Sequence, residues 1–163
     1  MAFTIIIILT WLIGTIFYFT PKTLSFLQNS IVFMLLAIIS RNNMTIVTME
    51  LESIQTSQQP IIYMFFLIQR EVIIPILTLI FINIYYKIET ISKKIILFLI
   101  IYLGMFSLNY LSITLDVVTY LKWNYFYDLL HDTIYLLVGL WLSKIILLIE
   151  KKESQHNGSG HLL

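Results

Sequence analysis

Asp128, His131 and Asp132 place two carboxylates and an imidazole at helical spacing, and Tyr135, Gly139 and Ser143 continue the same face. Such a trio could ligate a metal or relay protons, because histidine titrates near neutrality. An Asp at a helix start also caps free amides and complements the helix dipole, which is the simpler reading. HExxH, CxxC, P-loop and GxSxG patterns are all absent from the sequence. No catalytic residue, cofactor or metal ligand is therefore assigned, and the balance is against an enzyme.

A second concentration of charge is Arg70-Glu71, set inside an otherwise apolar block. A charge at the centre of a bilayer costs at least about 3 kcal/mol, so it pairs or faces water. Pro75 follows Glu71 by one turn and offers no amide to the Glu71 carbonyl. Either Arg70 snorkels outward beside a structural ion pair, the simpler use, or cation, carboxylate and freed carbonyl make a site. Further along, Tyr102, Met105, Asn109, Ser112 and Asp116 recur at three- and four-residue steps, which gathers that block's polarity on one stripe. Seams between membrane helices use Asn and Ser in this way, at about 0.6–2 kcal/mol each. Arg70, Glu71, Asn109, Asp116, Asp128, His131 and Asp132 together form the candidate polar cluster. Arg70 is expected to pair with Glu71, Asp116 or Asp132 and so to join three helices.

The elements that position these groups are apolar blocks. Hydrophobic residues make up 59% of the 163-residue chain and charged residues 12%, where a soluble domain carries about 25% charged residues. Mean hydropathy is +0.90. The reading is an all-α, polytopic membrane bundle of one domain. A net charge of +1 gives no electrostatic case for nucleic acid. Cys is absent, which removes disulfides, thiolate catalysis, Cys-zinc sites and palmitoylation.

About 20 helical residues cross the roughly 30 Å hydrocarbon core of a bilayer. Five blocks approach that length: residues 2–19, 24–40, 61–86, 95–118 and 129–149. No basic residue precedes the first block and Lys22 follows it, which reads as an uncleaved span rather than a secretory signal. Pro21 breaks the chain after it, Thr23 or Ser25 can cap the second span, and Pro60 suits the first position of the third. Between the second and third spans, Met44, Val47, Leu51 and Ile54 fall at helical spacing, which predicts a short amphipathic helix on the bilayer surface. Alternation at Val47, Met49 and Leu51 leaves a strand open as the alternative. Tyr120–Tyr127, with Trp123, Lys122 and Asn124, reads as an aromatic belt at the water interface. Residues 151–163 are a polar tail whose Gly-Ser-Gly is either native or vector-derived.

Five spans put Lys22, Lys87, Lys93, Lys94, Lys144, Lys151 and Lys152 on one side, against Arg41, Arg70 and Lys122 on the other. The excess predicts an N-terminus outside the cell membrane and a C-terminus in the cytoplasm. The acidic residues then fall mostly toward the outer half.

The chain is rich in Ile, Lys, Asn, Phe and Tyr, with Ala only at positions 2 and 37. In general type it resembles uncharacterised small multi-pass membrane proteins of low-GC Gram-positive bacteria. That likeness implies a bacterial membrane protein and assigns no residue a role. The expected function is that of an accessory, immunity or regulatory component acting through intramembrane contacts, with the lipid bilayer and either a membrane-protein partner or a second copy around it. The alternatives are a transporter or channel subunit using the outer polar cluster, and an intramembrane enzyme with carboxylate and His acid–base groups. Only Gly14, Gly104 and Gly139 lie in the spans, whereas discontinuous transporter helices draw on more Gly and Pro.

Overall fold

A backbone denied water must satisfy its amides within its own segment, and a long apolar run does so as a helix. The computed structural model describes residues 2–159, with side chains over residues 3–151. Five helical rods fill it. The first is α1 (Ala2–Phe19), and the second is α2 (Phe26–Thr45), prolonged by a π-helical turn at Ile46–Glu50. The third joins α3 (Pro60–Ile68), a π-helical turn at Gln69–Ile73, and α4 (Ile74–Tyr85). The fourth is α5 (Ile91–Thr114) and the fifth is α6 (Tyr125–Ser159). Four of these rods are long and apolar enough to cross a membrane, while α1 is a shorter apolar helix. The polytopic all-α bundle is thus as the composition implies.

The rods differ sharply in enclosure. In the third, 72% of the apolar window is buried, against 28% in each of the second, fourth and fifth. It is the central post: α1 lies along α3 and α4, α2 along the π turn and α4, and both α5 and α6 pack on α4. Phe65, Ile73, Leu79, Phe81 and Ile82 are among its fully buried side chains.

Boundaries follow local chemistry. Ser25 Oγ accepts from Gln28 N–H at 3.3 Å and Gln28 Oε1 accepts from Ser25 N–H at 2.7 Å, a capping box that starts α2 after the Pro21 break. The fourth rod lies about one turn earlier than the expected 95–118, with Lys93 and Lys94 inside its first turns. Its end is set by Asp116, at φ 54°. Asp116 N–H reaches Ile113 O at 3.1 Å and Val117 N–H reaches Ser112 O at 2.9 Å, the two bonds of a Schellman motif.

The expected surface helix over residues 44–59 does not form. The chain stays in the second rod to Glu50, turns at Glu52 (φ 46°), and enters a short strand, β1 (Ile54–Thr56). That strand pairs antiparallel with β2 (Val118–Tyr120), Gln55 opposite Thr119. Ser53 O also accepts the amides of Leu121 and Lys122 at 3.0 and 3.1 Å. The backbone bonds that an isolated helix would have closed locally are supplied instead by a distant segment. Ile54 and Val118 turn inward, so the ribbon covers one end of the bundle, the sheet end. The other end collects most of the lysines. In the tail α6 continues to Ser159, and residues 160–163, with the last Gly of Gly-Ser-Gly, lie outside the described residues.

Candidate functional site

The site begins with a defect in the central rod. Pro75 has no amide to give, so a regular helix would leave a carbonyl unpaired one turn back. At Gln69–Ile73 the helix widens into π register, and Ile74 N–H bonds Gln69 O. The wide turn directs Gln69, Arg70 and Ile73 into the bundle, all three buried. Such turns are often found where function interrupts a helix.

From Gln69 a row of hydrogen bonds crosses three rods. Ser112 Oγ donates to Gln69 Oε1. Gln69 Nε2 donates to Asn109 Oδ1 at 3.2 Å, and Asn109 Nδ2 donates to Asp132 Oδ2 at 3.0 Å. All three donors point the same way, so the row ends in an amide donor aimed at Asp132 Oδ2. Two of the links are amides, which transmit a dipole and no proton. The row therefore ties α5 and α6 to the central rod and is no path for protons along its length. His131 Nδ1 lies 3.4 Å from Asp132 Oδ1, and its ring stacks on Tyr135 at 6.2 Å.

Asp128 is satisfied by the sheet end. It accepts from Tyr120 Oη on β2 and from Trp123 Nε1 at 2.8 Å. Burial first, then the bond to Asp128 and its charge, push the Tyr120 hydroxyl far above the ordinary tyrosine range. It therefore stays protonated and keeps donating. Asp128 does not cap α6. Asn124 does, its Oδ1 accepting from Tyr127 N–H at 3.1 Å, which frees both aspartates of the helix to face inward.

Arg70 completes the cluster and departs from expectation. It is 5% exposed, yet it makes no ion pair among the described residues. Its neighbour Glu71 pairs with Arg41 instead, Nε to Oε1 at 3.7 Å. Adjacent helical residues diverge around the axis, so Arg70 points inward while Glu71 points across to α2. Among the described residues the Nε and Nη1 of Arg70 have no hydrogen-bond partner, and neither has His131 Nε2. Arg70 stands in the wall of a cavity of about 130 Å³ between α2 and α3, with Arg41 and Glu71 at the same cavity.

Of the seven candidate residues, the fold gathers Arg70, Asn109, Asp128, His131 and Asp132 into one buried neighbourhood, and sets Glu71 on its rim. Asp116 is exposed, spent on the end of α5. Among the described residues no three His, Asp or Glu converge closely enough to hold a metal ion. The sequence reading passed over Gln69 as a donor, and it took Tyr120 and Trp123 for interfacial anchors only.

It also missed a second polar knot, at the lysine end. Asn83 Oδ1 accepts from Thr23 N–H at 2.8 Å and Leu24 N–H at 3.1 Å. Its Nδ2 donates to Asn29 Oδ1 at 2.7 Å and Leu79 O at 2.9 Å. Asn29 Nδ2 in turn bonds Leu24 O and Ser25 O. A lone amide amid isoleucines at Ile82-Asn83-Ile84 was the available signal, since a polar side chain in a span needs partners.

Fold and site together define a multi-pass α-helical membrane protein built around one enclosed rod with a buried polar cluster. Comparison with known protein families, with curated proteins and with solved structures finds no match to this chain.

Proposed function

We propose that this is a small accessory, immunity or regulatory component of the cell membrane, acting through contacts between its helices and another membrane protein. The observation that carries the reading is Gly104. A Cβ there would meet nothing within 4 Å, whereas one at Gly139 would stand 2.6 Å from Thr78 Cγ2. Gly139 lets α6 approach α4 inside the bundle; Gly104 is a notch on a face of α5 whose neighbours Ile100 and Leu103 are exposed. Small residues on an outward face let a second helix come close, and packing rather than hydrophobicity drives association in lipid. The hydroxyl of Ser107 beside it is satisfied by Leu103 O, so the face suits lipid or a partner helix.

The chain contains no cysteine, so single cysteines report cleanly. Gly104→Cys and Ser107→Cys, labelled with benzophenone-4-maleimide in native membranes and irradiated, should give adducts of one defined mass, since the photoactivated ketone inserts into C–H bonds of whatever helix lies against it. Gly104→Leu should abolish the Ser107→Cys adduct while leaving the melting temperature unchanged. Monomer alone, in cells whose deletion phenotype the variant still complements, overturns the reading. The lysine excess supports an N-terminus outside and a C-terminus in the cytoplasm. Gln58→Cys should then react with an impermeant maleimide on intact cells, and Glu89→Cys only after lysis; the reverse pattern overturns that orientation.

A further inference from the structure

We propose that the cleft between α1 and α2 at the lysine end holds one acyl chain of an anionic phospholipid, with Lys22 binding its phosphate. α1 packs along α3 and α4, and α2 along the π turn, α4 and α6. The two rods therefore flank the central post and leave a cavity of about 540 Å³ between them, within the roughly 300–1,000 Å³ usual for small-molecule sites. Its floor is Ile76 and Leu79 of the central rod, and its sides are Phe17 of α1 and Phe26, Phe33 and Met34 of α2. From Phe26 to Met34 the lining descends about 12 Å, at the helical rise of roughly 1.5 Å per residue. One leaflet contributes about 15 Å of hydrocarbon, half of the roughly 30 Å core. The cleft thus matches the depth of one acyl chain and is too short for a spanning helix.

The mouth selects the headgroup. After the Pro21 break the chain folds back, and the Lys22 ammonium stands 3.2 Å from the centroid of the Phe17 ring and donates to Phe17 O. An aromatic face attracts a cation, and here it holds the charge at the rim of the cleft rather than out in water. Lys22 is exposed, and an ammonium has three donors, of which this bond uses one. Among the described residues Lys22 makes no salt bridge, and no carboxylate lines the cavity. Partial desolvation lowers the Lys22 pKa from the ordinary lysine value, with no acidic neighbour to oppose it; an anion at the mouth supplies that opposition. Ser25 Oγ, at the same mouth, accepts from Gln28 N–H and keeps its own proton to donate. Deeper in the wall, Asn29 and Ser30 are bonded to nearby backbone carbonyls, so the interior offers apolar surface. A zwitterionic lipid carries the same phosphate with a cation of its own beside it, and gains less from Lys22.

Thermal unfolding of the full chain, stripped of phospholipid in a neutral glycoside detergent, tests the site, since a ligand of the folded state raises the midpoint. Phosphatidylglycerol should raise it saturably, and phosphatidylcholine with the same chains should need about fivefold more lipid. Glycerol 3-phosphate, which has the charge and no chain, should leave it unchanged. Lys22→Gln should weaken phosphatidylglycerol binding about fivefold, as one lysine beside an anionic lipid implies, and Lys22→Arg should restore it. Lys87→Gln removes an exposed lysine of the same end that does not line the cleft, and should leave the affinity unchanged. Ser30→Phe fills the cleft and strands no partner but its own Phe26 O, so it should weaken both lipids about tenfold or more. Should Ser30→Phe fail to fold, the comparison of Lys22→Gln with Lys87→Gln decides. In native membranes Met34→Cys, labelled with the same benzophenone and irradiated, should gain the mass of a phospholipid; an adduct of protein size places a partner helix in the cleft. That adduct, equal affinity for the two lipids, or equal losses in Lys22→Gln and Lys87→Gln overturns the proposal.

Discussion

The two polar knots of this bundle are built from similar parts and end in opposite states. At the lysine end Asn83 and Asn29 tie the α1–α2 turn to α4, and both donors and the carbonyl oxygen of Asn83 are used. The knot is neutral and closed. At the sheet end the cluster holds two aspartates, a histidine and an arginine, and leaves Arg70 Nε, Arg70 Nη1 and His131 Nε2 without partners among the described residues. A closed knot repays its desolvation by holding rods together. An open one spends stability on buried groups left unpaired, a cost that proteins bear more often at functional sites than at staples.

The largest effect that could break this contrast belongs to Asn83→Leu. It strands Leu24 N–H and Asn29 Oδ1 in a buried place and takes a partner from the part-buried Thr23 N–H, and should cost about 3 kcal/mol in reversible unfolding from mixed micelles. A loss below about 1 kcal/mol would mean that the lysine-end knot is no staple. Asp128→Asn comes next. The amide keeps one acceptor for Tyr120 or Trp123 and loses the charge, so about 1–2 kcal/mol should go, with a shift in Trp123 emission as its indole bond rearranges. The smallest effect sharpens the comparison most. His131→Phe retains the stack on Tyr135 and removes a buried unpartnered nitrogen, so it should be neutral or stabilising by up to about 1 kcal/mol. A loss as large as that of Asn83→Leu would place His131 among the structural groups and erase the distinction.

Much of the architecture was legible residue by residue. Asp128, Asp132, Tyr135, Gly139 and Ser143 share the buried face that their three- and four-residue steps predict, as do Met105, Asn109 and Ser112. That periodicity is a property of one helix, so local sequence carries it. The stripe's last member, Asp116, escaped because a helix can end before its pattern does, and only the left-handed turn reveals where. The β1–β2 ribbon was hidden for a different reason. Its strands are joined by residues far apart in the chain, and nothing in Ile54–Thr56 alone names Val118–Tyr120 as partner. The pairing of Arg41 with Glu71, in place of Arg70, belongs to the same class, since it depends on how α2 lies against the central rod.

By itself the sequence determined that the chain forms a bundle of apolar helices, where the breaks at Pro21 and Pro60 fall, and which faces of α5 and α6 carry polarity. Those follow from hydropathy, proline geometry and a repeat of 3.6 residues, all of them local. Only the tertiary structure decided that the third rod is the enclosed one, that Pro75 is answered by a π turn, and that Asn83 is saturated while Arg70 is left with free donors. Whether a buried polar group is satisfied depends on what other segments bring within about 3 Å, and that is settled when the rods pack.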